Sequence, residues 1–245
     1  MRCTAARVPV RAAPDDLATA TSELLFGEDF EVFDCAGDWS WGRCGTDRYI
    51  GWVTTAALAE PVGTSDLRIT ARIAPVFATA DIKAPVVMEL PFGARIAGVA
   101  GERFLALVGG GFVHLRHVAA LPRDPIAVAR LFLGTPYLWG GRTGDGIDCS
   151  GLVQAALLAC EVACPRDSDQ QLAEVGDTVD PADRRRGDLV FFPGHVGLLT
   201  DGDRLLHANA HWMATVEEPL ADVVGRLAAS GVAVPVTGVK RVPLD

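Results

Sequence analysis

The run Tyr137-Leu138-Trp139-Gly140-Gly141-Arg142-Thr143-Gly144-Asp145-Gly146-Ile147-Asp148-Cys149-Ser150-Gly151-Leu152-Val153-Gln154 changes character at one point. Up to Asp148 it is rich in glycine and poor in helix formers. From Cys149 an apolar, helix-compatible stretch continues through Ala163. The junction predicts a helix that begins at Cys149. A thiol there meets the first backbone N–H groups and the helix dipole, which favour the thiolate, the form that attacks carbonyls. A cysteine buried only for packing is the competing reading, and position alone does not separate the two.

The histidines separate them. Acyl transfer by cysteine needs an imidazole base within hydrogen-bond reach and a third group that holds its tautomer. The chain has five histidines: His114, His117, His195, His207 and His211. The first two fall in the N-terminal half and read as solvated or edge-strand residues. In Gly187-Asp188-Leu189-Val190-Phe191-Phe192-Pro193-Gly194-His195-Val196-Gly197-Leu198-Leu199, one strand ends at Pro193-Gly194 and a second opens with His195. A turn at Asp201-Gly202-Asp203 folds the next strand, Arg204 to Ala210, back on it. Counting outward, Thr200 faces Arg204 and Val196 faces roughly Ala208, so His195 and His207 become neighbours across the pair. His207 can then orient His195. His211 would share a strand face with His207 and is an alternative third member.

Around this core the chain is ordered. Asp124 and Pro125, after Leu121-Pro122-Arg123, read as the N-cap and first residue of a helix that Gly134 and Pro136 end. A helix is expected near 168–176, strands at Leu189–Phe192, His195–Thr200, Arg204–Ala210 and about Val232–Val242, and a helix near Leu220 to Ala229. Helices first and strands after argue an α+β domain over 123–245.

The N-terminal half repeats itself. Ala6-Arg7-Val8-Pro9-Val10 echoes Ala71-Arg72-Ile73-Ala74-Pro75-Val76, and Glu23-Leu24-Leu25-Phe26-Gly27 echoes Glu89-Leu90-Pro91-Phe92-Gly93. Gly51-Trp52-Val53 echoes Gly111-Phe112-Val113, and Ala56 to Pro61 echoes Val118 to Pro122. The offset shrinks along the way, so the second copy lacks a few residues matching Trp39 to Asp47. Short strands with turns every 8–12 residues point to small barrels or sandwiches, one over 1–62 and one over 63–122.

Composition excludes some classes. The formal charge of −9 argues against nucleic acid and against an anionic membrane surface as partners. No run approaches the ~18 apolar residues of a membrane span. Met1 to Pro14 holds three arginines and no apolar leader segment, so a cytoplasmic location is expected. Among the six cysteines, Cys160 and Cys164 are spaced to share a helix face. They have no partner at zinc-site spacing, so neither metal nor other cofactor is expected.

Tyr137 to Gln154, Gly187 to Gly197 and the His207 strand together resemble the NlpC-type cysteine peptidases, papain-like enzymes of the cell wall. The similarity covers about 125–242. The repeats resemble bacterial SH3-like barrels. The whole layout resembles the γ-D-glutamyl-L-diamino acid endopeptidases: two small all-β SH3-like barrels, then an α+β papain-like domain. The resemblance implies Cys149 as nucleophile, His195 as base and later acid, and His207 as the residue that orients it. Tyr137 matches a tyrosine at the oxyanion site. Asp148 and Ser150 match positions that bind the D-glutamate carboxylate or the substrate backbone, and Asp148 reads equally as a helix cap. In Arg166-Asp167-Ser168, the Asp and Ser match residues that meet a free N-terminal L-alanine. Asp167 is also a cap candidate. Tyr49 is the nearest match to a tyrosine that the first barrel contributes. The implied substrate is a murein tripeptide or tetrapeptide cut between γ-D-glutamate and diaminopimelate or lysine, in wall-peptide recycling. A papain-like acyl or amide transferase and a non-catalytic wall-binding protein are the alternatives. The sequence leaves oligomeric state open.

Overall fold

The structure is a computed structural model that describes residues 1–118 and 123–243. The boundary expected at Leu121-Pro122 and most of the last repeat echo lie outside the described residues. The chain divides into two compact units, Met1–Leu121 and Pro122–Asp245.

The first unit holds two five-stranded sheets. The first comprises β1 (Arg7–Arg11), β2 (Ala20–Leu25), β3 (Phe30–Ala36), β4 (Trp39–Cys44) and β5 (Ile50–Thr54), in the order β2-β1-β5-β4-β3. The second comprises β6 (Ile73–Phe77), β7 (Val86–Pro91), β8 (Gly98–Ala100), β9 (Phe104–Leu107) and β10 (Phe112–His114), in the order β7-β6-β10-β9-β8. The two orders are the same, which gives the sequence repeat a structural counterpart. The paired residues Ser40 and Val53 are 13 positions apart, whereas their equivalents Leu105 and Val113 are 8 apart. The second copy is therefore shortened across its β9–β10 hairpin. Alternation builds each core: β1 turns Val8 and Val10 inward against Leu24, Phe30 and Val53, and β6 turns Ala74 and Val76 against Leu90, Leu105 and Val113. Burying each such aliphatic or aromatic side chain stabilises the fold by about 1.5–3 kcal/mol.

The two SH3-like barrels expected over 1–62 and 63–122 correspond to these two open sheets, and among the described residues no closed barrel is found: no pairing joins the edge strands β2 and β3, or β7 and β8, into a ring.

The second unit is α+β. Its helices are α1 (Pro125–Arg130), α2 (Cys149–Ala159), α3 (Ser168–Glu174) and α4 (Leu220–Ala229). Its strands are β11 (Asp177–Thr178), β12 (Leu189–Phe192), β13 (His195–Leu199), β14 (Arg204–Asn209), β15 (Ala214–Pro219) and β16 (Gly238–Arg241). They form one antiparallel sheet in the order β11-β16-β12-β13-β14-β15. β12 and, after His195, β13 are apolar and buried: α2 packs on β13 and β14, and Leu220 and Val223 of α4 pack with Val190, Phe192, Leu199 and Leu205. Asp124 caps α1 by accepting the Ile126 N–H, with Pro125 in its first turn.

Two expectations are corrected here, and one element is new. The helix from Cys149 stops at Ala159, not Ala163. Glu161 is left-handed (φ 64°), and the Val162 and Glu161 N–H groups close back on Leu157 and Leu158 in a Schellman ending. The C-terminal strand covers only Gly238–Arg241. The strand β15 was not expected at all.

Candidate active site

Cys149 is the first residue of α2, and the cap is Asp148, extended at φ −99° and ψ 178°. The Asp148 carboxylate accepts the Gly151 N–H at 2.8 Å and the Gly140 N–H at 2.8 Å. The helix start is pressed against the glycine loop: a Cβ on Gly151 would stand 2.4 Å from the Gly141 carbonyl oxygen, so only glycine fits there.

A fully buried arginine locks this start. Arg166, 1% exposed, donates from Nη1 to Asp148 Oδ1 (2.9 Å) and Ser150 Oγ (2.8 Å), and from Nη2 to Asp148 Oδ2 (2.6 Å). The fork is bidentate and matches the carboxylate plane. Both residues flanking Cys149 are thus committed to one guanidinium. Of the two readings open for Asp148, its side chain is placed as the cap.

The thiol lies near the strand that carries His195, where the backbone N–H groups of Val196 and Ser150 are placed to favour its thiolate. The β13–β14 hairpin pairs Leu198 with Leu206 and Leu199 with Leu205. That register brings His195 Nε2 within 2.8 Å of His207 Nδ1. His207 is wholly buried, and its Nε2 lies 2.9 Å from Glu218 Oε1. His211 falls in the turn after β14, where its ring packs edge-on against Trp212, so it takes no part in the pair.

A carboxylate only accepts hydrogen bonds, so the His207 Nε2 beside it carries the proton. The neutral ring then offers Nδ1 as acceptor to His195 Nε2–H. His195 is left with an unprotonated Nδ1, the nitrogen able to take a thiol proton.

Burial sets the resting charges. It pushes the Cys149 thiol up to about 11, with the Asp148 charge adding to the effect and the Val196 and Ser150 N–H groups opposing it. Burial, then the neighbouring His207, drives His195 down to about 3. Desolvation therefore opposes the thiolate that a helix start favours, and it favours the neutral form of His195 as well. Alkylation of Cys149 by iodoacetamide, followed on its own peptide by mass spectrometry, should still accelerate at pH 9.0, the ordinary thiol value. A rate already level at pH 7 would instead show a preformed thiolate–imidazolium pair.

Tyr137 is half-buried beside the thiol. Burial, with Cys149 and Asp148 as further causes, raises its hydroxyl to about 12, so it stays protonated and able to donate. Asp167 stands at the N-cap position of α3, yet its side chain makes no capping hydrogen bond, and Ser168 opens that helix beside it. Tyr49 lies in the first unit, where its ring packs on the core of the first sheet. Sequence reasoning missed Arg166 as the partner of Asp148, and it missed Glu218 entirely.

A family model described as the NlpC/P60 family matches residues 134–222, and one described as bacterial dipeptidyl-peptidase Sh3 domain matches 10–58. The gamma-D-glutamyl-L-lysine dipeptidyl-peptidase of Bacillus subtilis is 30% identical over 214 residues, covering 76% of this chain and 71% of that protein. The chain belongs to the NlpC/P60 family. It is accordingly a hydrolase of peptide bonds. Dipeptidyl-peptidase 6 of Lysinibacillus sphaericus is 37% identical over 37% of this chain and 33% of its own length. A crystal structure of an NlpC/P60 family protein from Bacillus cereus superposes with a TM-score of 0.82 over 100% of this chain and 99% of that one. At 20% identity that likeness shows the fold. Among the described residues no helix is long and apolar enough to cross a membrane.

Proposed function

We propose that this chain is a cysteine endopeptidase that cuts short murein peptides between γ-D-glutamate and diaminopimelate or lysine, and that it requires a free N-terminal L-alanine. The observation that carries the reading is the hydrogen-bonded His195–His207 pair, in which His195 opens the strand that lies beside the Cys149 thiol. His195 Nδ1 takes the thiol proton as Sγ attacks the γ-carbonyl carbon. The developing oxyanion is met by the Cys149 N–H at the start of α2 and by the Tyr137 hydroxyl. The intermediate collapses as His195 gives its proton to the leaving amine, which forms a thioester. Water, deprotonated by His195, then releases L-Ala-D-Glu and regenerates the thiol.

Substrate orientation follows from charge. The Asp167 carboxylate, with Ser168 beside it, pairs with the ammonium of L-alanine. Asp148 and Ser150, held by Arg166, present the backbone around Cys149 to the D-glutamate unit. A site that needs a free ammonium acts on released peptides and not on stems still joined to glycan, which suits peptide recycling. The gamma-D-glutamyl-L-lysine specificity in the name of the Bacillus subtilis relative supports the same bond.

The test is to incubate the protein with L-Ala-γ-D-Glu-diaminopimelate and with its N-acetylated form, following L-Ala-D-Glu or its acetylated counterpart by mass spectrometry. Acetylation removes one charge-assisted hydrogen bond, worth about 1.5–3 kcal/mol, so kcat/KM should fall roughly ten- to a hundredfold. Asp167→Asn should show much the same loss on the free peptide and little on the acetylated one. Equal cleavage of both peptides would rule out the ammonium site, and cleavage of neither would rule out this substrate.

A further inference from the structure

Glu218 closes a chain of polar contacts behind the two histidines, and nothing in the proposed chemistry has yet used it. Its Oε1 accepts from His207 Nε2 at 2.9 Å, from Trp212 Nε1 at 3.2 Å and from Arg226 Nη2 at 2.5 Å, while Oε2 accepts from Arg226 Nη1 at 2.8 Å. The residue is 9% exposed, beside a His207 that is 0% exposed. Its position follows from two elements: β15 pairs with β14 alongside His207, and α4, which begins immediately after β15, returns Arg226 to the carboxylate.

We infer that Glu218 is a positioning residue that acts through His207, fixing the tautomers of both histidines so that His195 keeps an open Nδ1 for the Cys149 proton. This rests on the reading of Cys149 and His195 given above.

A neutral imidazole has one N–H, and whichever nitrogen carries it decides the other's role. If His207 carried its proton on Nδ1, it would donate to His195 Nε2. His195 would then hold its own proton on Nδ1 and have no lone pair for the thiol. The carboxylate at Nε2 forbids that arrangement, because two acceptors would face each other. The competing partner, Asn209 Nδ2, lies 3.4 Å from His207 Nε2, well beyond the carboxylate. Burial pushes the Glu218 carboxyl up, but the hydrogen bonds from Arg226, His207 and Trp212 hold it at about 2, so it remains an acceptor throughout the working pH range. When His195 becomes an imidazolium during attack, the charge is shared along His207 toward Glu218. No proton moves onto Glu218, and Arg226 keeps it in place. Among the described residues, the charged groups that act on the pair are Glu218 and, behind it, Arg226.

The experiment combines nitrogen NMR with kinetics on the whole chain. In protein labelled with 15N-histidine, His207 and His195 should both be protonated at Nε2 and bare at Nδ1. Glu218→Leu removes the acceptor and should mix these tautomers. It should lower kcat about ten- to a hundredfold, the scale on which outer partners of functional histidines act, with KM unchanged. Glu218→Asp should recover part of kcat. Rates are expressed per alkylatable Cys149, so partial unfolding does not count as lost chemistry. Wild-type kcat and unchanged nitrogen shifts in Glu218→Leu would overturn the inference, as would His207 protonated at Nδ1 in the wild type. The wild-type spectrum decides even if the variant does not fold. Full activity in a Cys149→Ala protein would bring down the underlying reading instead, leaving the tautomer result standing.

Discussion

Cys149→Ala should abolish hydrolysis of L-Ala-γ-D-Glu-diaminopimelate, lowering kcat by about 10⁴–10⁶, the range seen when a covalent nucleophile is deleted. The fold should survive. Alanine is a good helix former at the first position of α2, and the cap contacts of Asp148 do not involve the thiol. The side chain is 6% exposed, so the lost sulfur leaves a small gap, costing on the order of 1 kcal/mol. Circular dichroism and thermal melting should therefore resemble the wild type while product formation disappears. Retention of even about a hundredth of the wild-type kcat would remove Cys149 from the covalent step. His195→Ala should lose nearly as much, and the double variant little more, because the two act as one unit.

Why Cys149, His195 and His207 could be read from the chain while their supports could not is a matter of range. The break from glycine loop to apolar helix at Asp148 is local, and so is a hairpin counted from the Asp201-Gly202-Asp203 turn. Each uses contacts within about a dozen residues, where sequence spacing fixes geometry. The Arg166–Asp148 pair is not local: it depends on α2 ending at Ala159, where the left-handed Glu161 turns the chain back toward the helix start. The apolar run through Ala163 hid that ending, because it requires a left-handed glutamate where glycine is usual. Glu218 was hidden differently. The stretch Ala214-Thr215-Val216-Glu217-Glu218-Pro219 has adjacent acids and a proline, and its burial does not alternate cleanly, so it carries no period-2 signal. It is a strand because β14 supplies a full antiparallel edge for it, from Arg204–Pro219 to Asn209–Ala214. In the first unit the repeat was legible because each copy keeps its own alternation. That the two sheets stay open was not legible, since it depends on edge strands that only the folded sheets define.

Arg166→Ala should be the most damaging change away from the reacting atoms. Removing one member of a buried ion pair typically costs about 3–5 kcal/mol, because the remaining charge is left without its partner in a low dielectric. Here that charge is Asp148, buried and directly preceding the nucleophile, and among the described residues the Gly140 and Gly151 N–H groups and the Ser150 hydroxyl are the hydrogen-bond donors left to it. Against a total stability of roughly 5–15 kcal/mol, such a loss is a large fraction. Denaturant unfolding of the second unit, followed by tryptophan fluorescence, should show a midpoint shift of that size. Arg166→Lys keeps the charge but not the fork, so it should recover part of the stability and less of the activity, since Ser150 Oγ and both Asp148 oxygens cannot be satisfied by one ammonium in the same geometry. The double variant Arg166→Met with Asp148→Asn removes both charges. It should be more stable than Arg166→Ala alone, although its thiol is no longer held by the same cap. A loss below about 1 kcal/mol in Arg166→Ala would mean that Asp148 is already satisfied by the helix start. In that case the geometry at Cys149 would be set by the backbone amides of Gly140 and Gly151, with the guanidinium merely filling space beneath them.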